Sequence, residues 1–188
     1  MIIVRAELAD LHRLLRFRTD TARWLSALGS DQWALPFPAE SIIRSIEAGE
    51  VYLIREAHGT DAAATITLDT EADPLLWTET ERAQPAFYVH KLTVDRQYAG
   101  RGLGTRLLDW AGDRAAQRGA TWLRLDAWTT NARLQAYYRA NGFNHVRTVM
   151  GEETGGSGWV AQRPASRAAH GFTEEATPPR SPGLSTRD

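Results

Sequence analysis

The sequence predicts an α/β domain. Three observations carry that reading. An apolar strand runs through a glycine-rich turn straight into a helix (residues 87–115), residues 122–128 alternate with the period of a strand, and apolar positions elsewhere recur at helical spacing between strand-like runs. At 188 residues the chain is long enough for one domain with its own core. The domain is expected over residues 1–163. From Pro164 to Asp188 the composition changes: four of the eight prolines lie there with a single aromatic, Phe172, and the segment reads as a disordered tail.

Taken in order, residues 2–4 read as a first strand, and Asp10 is placed to cap a helix. Leu11, Leu14, Leu15, Arg18, Trp24, Leu25 and Leu28 recur at roughly helical spacing until Gly29 stops the pattern, with a break into two helices expected at residues 19–21. Residues 31–38 cannot be a regular helix, because Pro36 and Pro38 fix φ and remove donors. Ile42, Ile43 and Ile46 mark a short helix that Gly49 ends. Residues 51–54 and 63–68 read as two strands of a hairpin turning through residues 58–61, and residues 75–84 as an irregular connection. The strand at 87–94 precedes the glycines. Leu103, Leu107, Trp110, Ala111 and Ala115 then form one apolar stripe. After the strand at 122–128, residues 131–141 form a helix with Leu134, Tyr137 and Tyr138 on one side, and residues 143–150 and 158–162 form a closing pair of strands.

Composition narrows the function classes. The net charge is −1, which argues against general binding of nucleic-acid backbones. There is no cysteine, so disulfides, thiolate metal sites and a cysteine nucleophile are ruled out, and a reducing compartment fits. No stretch approaches the ~20 apolar residues of a membrane span, and no export leader is visible. The expected location is cytoplasmic. The five histidines show no metal-ligand spacing, so no metal is expected.

The glycine turn carries the chemistry. Gly100, Gly102 and Gly104 permit positive φ and close backbone approach, and the helix that follows offers unsatisfied N–H groups to an anion such as a diphosphate. A P-loop would need a lysine after its last glycine, and none follows. A dinucleotide fingerprint would need a small residue where Thr105 or Leu107 stands. A plain tight turn opening a helix is the bland alternative.

Two blocks decide between these. Gln97-Tyr98-Ala99-Gly100-Arg101-Gly102 matches the pattern [Gln/Arg]-x-x-Gly-x-[Gly/Ala], and residues 131–143, from Asn131 through Tyr137-Tyr138 to Gly142-Phe143, match N-x-x-[small/apolar]-x-x-[F/Y]-Y-x-x-x-G-F. In this order, with one helix and one strand between them, they resemble the acyl-CoA-binding and C-terminal motifs of the GNAT acetyltransferase superfamily. The resemblance covers residues 86–150; before them it extends only to element order. It implies the GNAT fold, a mixed and mostly antiparallel sheet splayed between its fourth and fifth strands and flanked by helices. It also implies acetyl-CoA as cofactor.

The implied cofactor-binding residues are Gln97, Gly100, Arg101, Gly102, Leu103, Gly104 and Thr105 for the diphosphate. Backbone groups of Leu92, Thr93 and Val94 would pair with the pantetheine arm, and Asn131 would add a hydrogen bond while also serving as a helix N-cap. Arg101 can add a charge-assisted contact, whereas Arg96 and Arg106 read as solvated. Tyr138 matches the family's catalytic tyrosine, which protonates or hydrogen-bonds the departing thiolate; the alternative is that Tyr137 and Tyr138 both pack in the core. His90 stands where the related arylalkylamine N-acetyltransferases carry a histidine that serves a water-mediated route for the amine proton. Tyr88 stands where those enzymes have a further histidine, and His90 is expected on one strand face with Tyr88 and Leu92. A hydrogen-bonded structural histidine is the alternative.

Aromatic residues dominate the expected acceptor side: Trp33, Phe37, Trp77, Tyr88 and Trp128, with Trp24 and Trp122 read as core. Asp126 and Trp128 share a strand face with Arg124, and a carboxylate beside an aromatic wall suits a small cationic amine. The chain is therefore expected to move an acetyl group to a primary amine of a small molecule or peptide by direct transfer in a ternary complex. A non-catalytic acyl-CoA sensor is the alternative. Neither nucleic acid nor membrane is an expected partner, and a homodimer, common in the family, is compatible with the sequence.

Overall fold

The computed structural model describes residues 1–34, 38–57, 59 and 61–175. Among the described residues the elements are β1 (Ile2–Arg5), α1 (Leu11–Ala27), α2 (Ala39–Glu47), β2 (Val51–Arg55), β3 (Ala62–Asp69), α3 (Glu79–Arg82), β4 (Ala86–Val94), α4 (Leu103–Gln117), β5 (Trp122–Ala127), α5 (Ala132–Ala140), β6 (Asn144–Thr148), β7 (Trp159–Pro164) and β8 (Thr173–Glu174). The strands form one sheet in the order β6-β7-β5-β4-β3-β2-β1-β8. Neighbours are antiparallel except β4 with β5 and β1 with β8. The mixed, mostly antiparallel sheet with flanking helices is the architecture the sequence resemblance implies.

Each face of the sheet has its own cover. Leu107, Leu108, Ala111 and Ala115 of α4 are fully buried with Ile54, Ile66 and Leu125 of the sheet. Burial of a Leu or Ile contributes about 1.5–3 kcal/mol, so packing rather than helix propensity holds α4 in place. On the other face Leu14 and Phe17 of α1 and Ile42 and Ile46 of α2 pack over Val51 and Leu53. Strand β2 is buried on both sides, since Tyr52 and Ile54 face α4.

Two irregularities in β4 open the sheet. Thr67 opposes His90 and Thr65 opposes Thr93, so Ile66 faces both Lys91 and Leu92. This is a β-bulge, and Lys91 takes φ +51° within it; that conformation costs a non-glycine residue about 1–3 kcal/mol. The extra residue reverses the alternation. Leu92 and Val94 pack on the α4 side, while Lys91 and Thr93 face α1 and α2. His90 and Leu92 therefore lie on opposite faces, contrary to the regular strand expected from sequence. Second, β4 and β5 pair only from Ala86 with Trp122 to Val89 with Leu125. Beyond that point β4 stays with β3 and β5 with β7, so the strands part beside His90 and Asp126.

Other expectations are corrected. Helix α1 runs unbroken through residues 19–21; the Thr19 hydroxyl donates to the Leu15 carbonyl at 3.0 Å instead of disrupting the helix. Asp10 precedes α1, but its carboxylate accepts from the Glu7 N–H and from Arg55 rather than from the helix. The connection at 75–84 contains α3, started by a reciprocal capping box between Thr78 and Glu81. The chain does not leave the fold at 163. Ala165 and residues 167–175 run along α4 to β1: Phe172 is buried, Glu174 accepts from the Trp110 indole at 2.6 Å, and β8 pairs with β1. Averaging composition over a proline-rich end hides these few anchors. Residues 176–188, two positions of the hairpin turn (His58 and Thr60) and Phe37 lie outside the described residues.

Candidate active site

A cleft of about 1190 Å³ opens where β4 and β5 part. Among the expected site residues, Trp33, His90, Leu92, Thr93, Val94, Asp126, Trp128, Asn131 and Tyr138 line it. The bulge and the splay expose backbone of β4 along one wall, an edge that an extended amide-containing chain can pair with.

The glycine turn lies past the end of that wall. Gly100 and Gly102 hold φ of +77° and +70°, and a Cβ at either would meet nothing within 4 Å. Conformation rather than crowding demands glycine there, and the space over the turn is open. Gly102 is the N-cap of α4, so the N–H groups of Leu103, Gly104 and Thr105 begin the helix without intrahelical acceptors. Leu103 buries its side chain in the core while its backbone stays at this turn. Arg101 is exposed, its guanidinium 4.9 Å from the Tyr98 ring. Gln97 has its N–H capped by Asp95 at 2.8 Å. The N–H groups that open α4 form a cradle outside the cleft itself, an arrangement that suits an anion.

Tyr137 joins cradle to cleft. Its ring lines the cleft and its hydroxyl lies 3.5 Å from that of Thr105. Gly104 makes room for this contact: a Cβ there would come within 2.5 Å of the Tyr137 hydroxyl, and the tyrosine would have to shift. Gly104→Ala is expected to destabilise the fold by about 1–3 kcal/mol through overpacking. Thermal melting checks this, and adding Tyr137→Phe, which removes the clashing oxygen, should recover part of the loss.

His90 is bracketed by carboxylates. Its Nε2 is 3.4 Å from Asp69 and its Nδ1 is 3.8 Å from Asp126. Burial alone would lower the imidazole pKa, but the Asp69 contact and the charges of Asp69 and Asp126 outweigh it, and the net direction is up. Burial pushes the Asp126 carboxyl up, with the His90 charge opposing. Tyr138 is buried beside Phe143, and burial drives its hydroxyl far above the ordinary phenol value. It therefore keeps its proton throughout the physiological range and can donate a hydrogen bond or supply a proton.

The loop after α1 spans the cleft. Asp31 accepts from the Trp128 indole at 2.7 Å and from Thr130 at 2.8 Å, and Gln32 accepts from the Asn131 amide at 2.7 Å. These bonds hold the Asp31 carboxyl below its usual range. Asn131 is also the N-cap of α5, accepting from Leu134 at 2.9 Å. Trp33 carries Arg18 at 4.6 Å over its ring.

Several expectations are redirected. Tyr88 does not reach the cleft: it is buried, and its hydroxyl accepts from Arg124 at 3.0 Å. Arg124 is wholly buried and also bonded to the Glu81 carbonyl, Gln84 and Gln162, so the face it shares with Asp126 divides into a structural half and a cleft half. Trp77 packs on Tyr88 and Arg124 rather than lining the cleft. Trp24, read as core, lines the cleft, with Arg96 stacked 4.2 Å over it. Arg106 is not solvated; it donates to the carbonyls of His170 and Gly171. Asp69 is the site residue that sequence reasoning missed. The alternation Thr65, Thr67, Asp69 in an otherwise apolar strand was the available clue.

The chain belongs to the acetyltransferase (GNAT) family, whose profile matches residues 15–143. An uncharacterized N-acetyltransferase, YesJ of Bacillus subtilis (strain 168), is 33% identical over 132 residues, which span 67% of this chain and 72% of YesJ. A GNAT-family acetyltransferase structure from Listeria monocytogenes 4b F2365 superposes with a TM-score of 0.72 at 25% identity, over 87% of this chain and 94% of that one. The PaiA N-acetyltransferase of Thermoplasma acidophilum, solved in complex with coenzyme A, shares the fold with a TM-score of 0.64 at 16% identity, over 86% of this chain and 97% of its own. The chain is thus a GNAT N-acetyltransferase, and acetyl-CoA is its cofactor. Among the described residues no helix is long and apolar enough to cross a membrane.

Proposed function

We propose that this enzyme transfers acetyl directly from acetyl-CoA to a primary amine of a small molecule or peptide, with both substrates bound together in the cleft. The placement of His90 between Asp69 and Asp126, in a cleft that Tyr138 also lines, carries the reading.

The cradle and splay fit the cofactor. The amides of residues 100–105 would hold the diphosphate, helped by Arg101, and the free backbone of Leu92, Thr93 and Val94 would pair with the pantetheine arm. Bound there, acetyl-CoA supplies an activated thioester. The complex of the PaiA enzyme with coenzyme A supports this choice of ligand.

The chain's own residues then handle two protons. An alkyl ammonium of pKa about 10.4 is neutral in only about one molecule in 2,500 at pH 7, so its proton must be taken. His90 accepts it at a ring nitrogen, directly or through a water, and Asp69 and Asp126 stabilise the imidazolium that results. Tyr138 donates a hydrogen bond to the departing sulfur. A phenol is the weaker acid than a thiol by about 1.5 pKa units, and burial widens the gap, so the hydrogen bond matters before full transfer does. A backbone N–H of the open β4 edge can polarise the thioester carbonyl.

Asp126 and Trp128 form the acceptor wall together with Trp33. Asp126→Ala is expected to raise the acceptor KM and lower turnover, by about 10-fold or more in kcat/KM. Steady-state release of coenzyme A with a panel of primary amines tests this. Unchanged constants would remove Asp126 from the site, and no release with any amine despite intact coenzyme binding would favour a sensor.

A further inference from the structure

Lys91 is the single lysine among the 188 residues, against 21 arginines. Apart from the amino terminus it is therefore the chain's one alkyl amine, and it stands inside the cleft. The bulge in β4 turns two consecutive side chains, His90 and Lys91, into that cleft, which a regular strand cannot do. Asp69 and Asp126, the carboxylates that bracket His90, also attract the Lys91 ammonium, as does Glu50, while Arg18 of α1 repels it. Lys91 thus lies among the groups that receive an incoming amine in the proposed reaction. The strand direction leads the thioester to the same place. With the diphosphate on residues 100–105, the pantetheine arm runs back along Val94, Thr93 and Leu92. Lys91 is the next residue on that path, one strand step of about 3.3 Å further.

Resting on the reading that this cleft carries out amine acetylation, we propose that Lys91 is a site of self-acetylation, at which the enzyme acetylates its own Nζ when no external amine fills the cleft. The neighbouring carboxylates do not oppose this reaction, because their field keeps the ammonium beside the base. The ammonium gives one proton to His90, as an external amine would. The Lys91 Nζ then attacks the thioester carbonyl carbon. An amide carbon–nitrogen bond forms, and the carbon–sulfur bond breaks with its electron pair on sulfur. A second amine proton passes to that sulfur, so coenzyme A leaves as the free thiol. Burial lowers the Lys91 pKa despite the three carboxylates, and the neutral amine is more populated than in an ordinary lysine. The arginines that line the cleft, Arg18 and Arg96 among them, stay protonated and cannot take the acetyl group.

The test incubates the whole chain with acetyl-CoA and no amine, follows its intact mass, and maps the modified residue by peptide mass spectrometry. One acetyl group should appear on Lys91, and trypsin should cease to cleave after that residue. The rate should be first order and independent of protein concentration. Coenzyme A in about 10-fold excess over acetyl-CoA should slow it about 10-fold by occupying the site. Acetylation of the amino terminus, a reaction in solution, should continue unslowed. Lys91→Arg should lose the label at residue 91 and keep coenzyme A binding by calorimetry, which shows that this variant is folded. An unmodified Lys91 in protein that binds coenzyme A and acetylates external amines overturns the proposal. So does labelling of Lys91 that excess coenzyme A does not slow, or that runs equally fast in urea-unfolded protein, because either marks acetylation in solution. Failure of every external amine with coenzyme binding intact overturns the amine-transfer reading itself, and that outcome is read separately, from coenzyme A release.

Discussion

Tyr138→Phe is expected to lower kcat by about 10²–10⁴-fold while leaving coenzyme A affinity unchanged. The ring is packed against Phe143 with its centroid 5.8 Å away, and phenylalanine keeps that packing. Only the hydroxyl is lost, and with it the donor for the departing sulfur. The effect should fall on kcat rather than on binding, because the sulfur needs a donor only once the carbon–sulfur bond is breaking. Stopped-time assays of coenzyme release, with calorimetric titration of coenzyme A on the same variant, separate the two quantities. Unchanged turnover would take the tyrosine out of the mechanism and leave it as a core residue.

Removing the base has the second largest expected effect. His90→Gln should cost about 10²–10³-fold in kcat/KM near neutral pH, with a smaller loss at high pH where more of the amine is already neutral. The pH profile of the wild type carries a sharper test. Transfer needs the neutral imidazole, so kcat/KM should rise as pH climbs through the His90 pKa. Asp69 and Asp126 hold that pKa above the ordinary imidazole value despite burial. Asp69→Asn removes one of the two nearby charges, turns the contact at Nε2 into a weaker neutral one, and leaves burial in place. The acid limb should therefore move to lower pH in Asp69→Asn. A limb that stays put, or moves to higher pH, would show that His90 is not the titrating base.

Much of the fold was legible because burial leaves a pattern. The stripe of α4 and the alternation of β5 are each dictated by a single covered face, and their elements appear where the periodicity places them. The glycine turn was legible for a different reason: positive φ at Gly100 and Gly102 admits few other residues. What was not legible depends on contacts distant in sequence. Nothing local marks Lys91 as a bulge, since the register is set by β3 across the ladder. That one residue decides which side chains of β4 enter the cleft. Tyr88 and Trp77 look like acceptor aromatics until Arg124, 36 residues beyond Tyr88, engages both. The same holds for Asp69, whose role appears only when β3 and β4 place it beside His90. The C-terminal segment escaped because its anchors, Phe172 and Glu174, find their partners on α4 some 60 residues earlier.

The most direct measurement is a crystal structure of the wild-type protein with coenzyme A. The pantetheine should lie as an extra strand along Leu92, Thr93 and Val94, the diphosphate should rest on the amides of residues 100–105, and the sulfur should reach the space that His90 and Tyr138 face. A coenzyme bound with its diphosphate away from Gly100 and Gly102, or with its sulfur remote from Tyr138, would contradict the assignment of this cleft as the place of acetyl transfer.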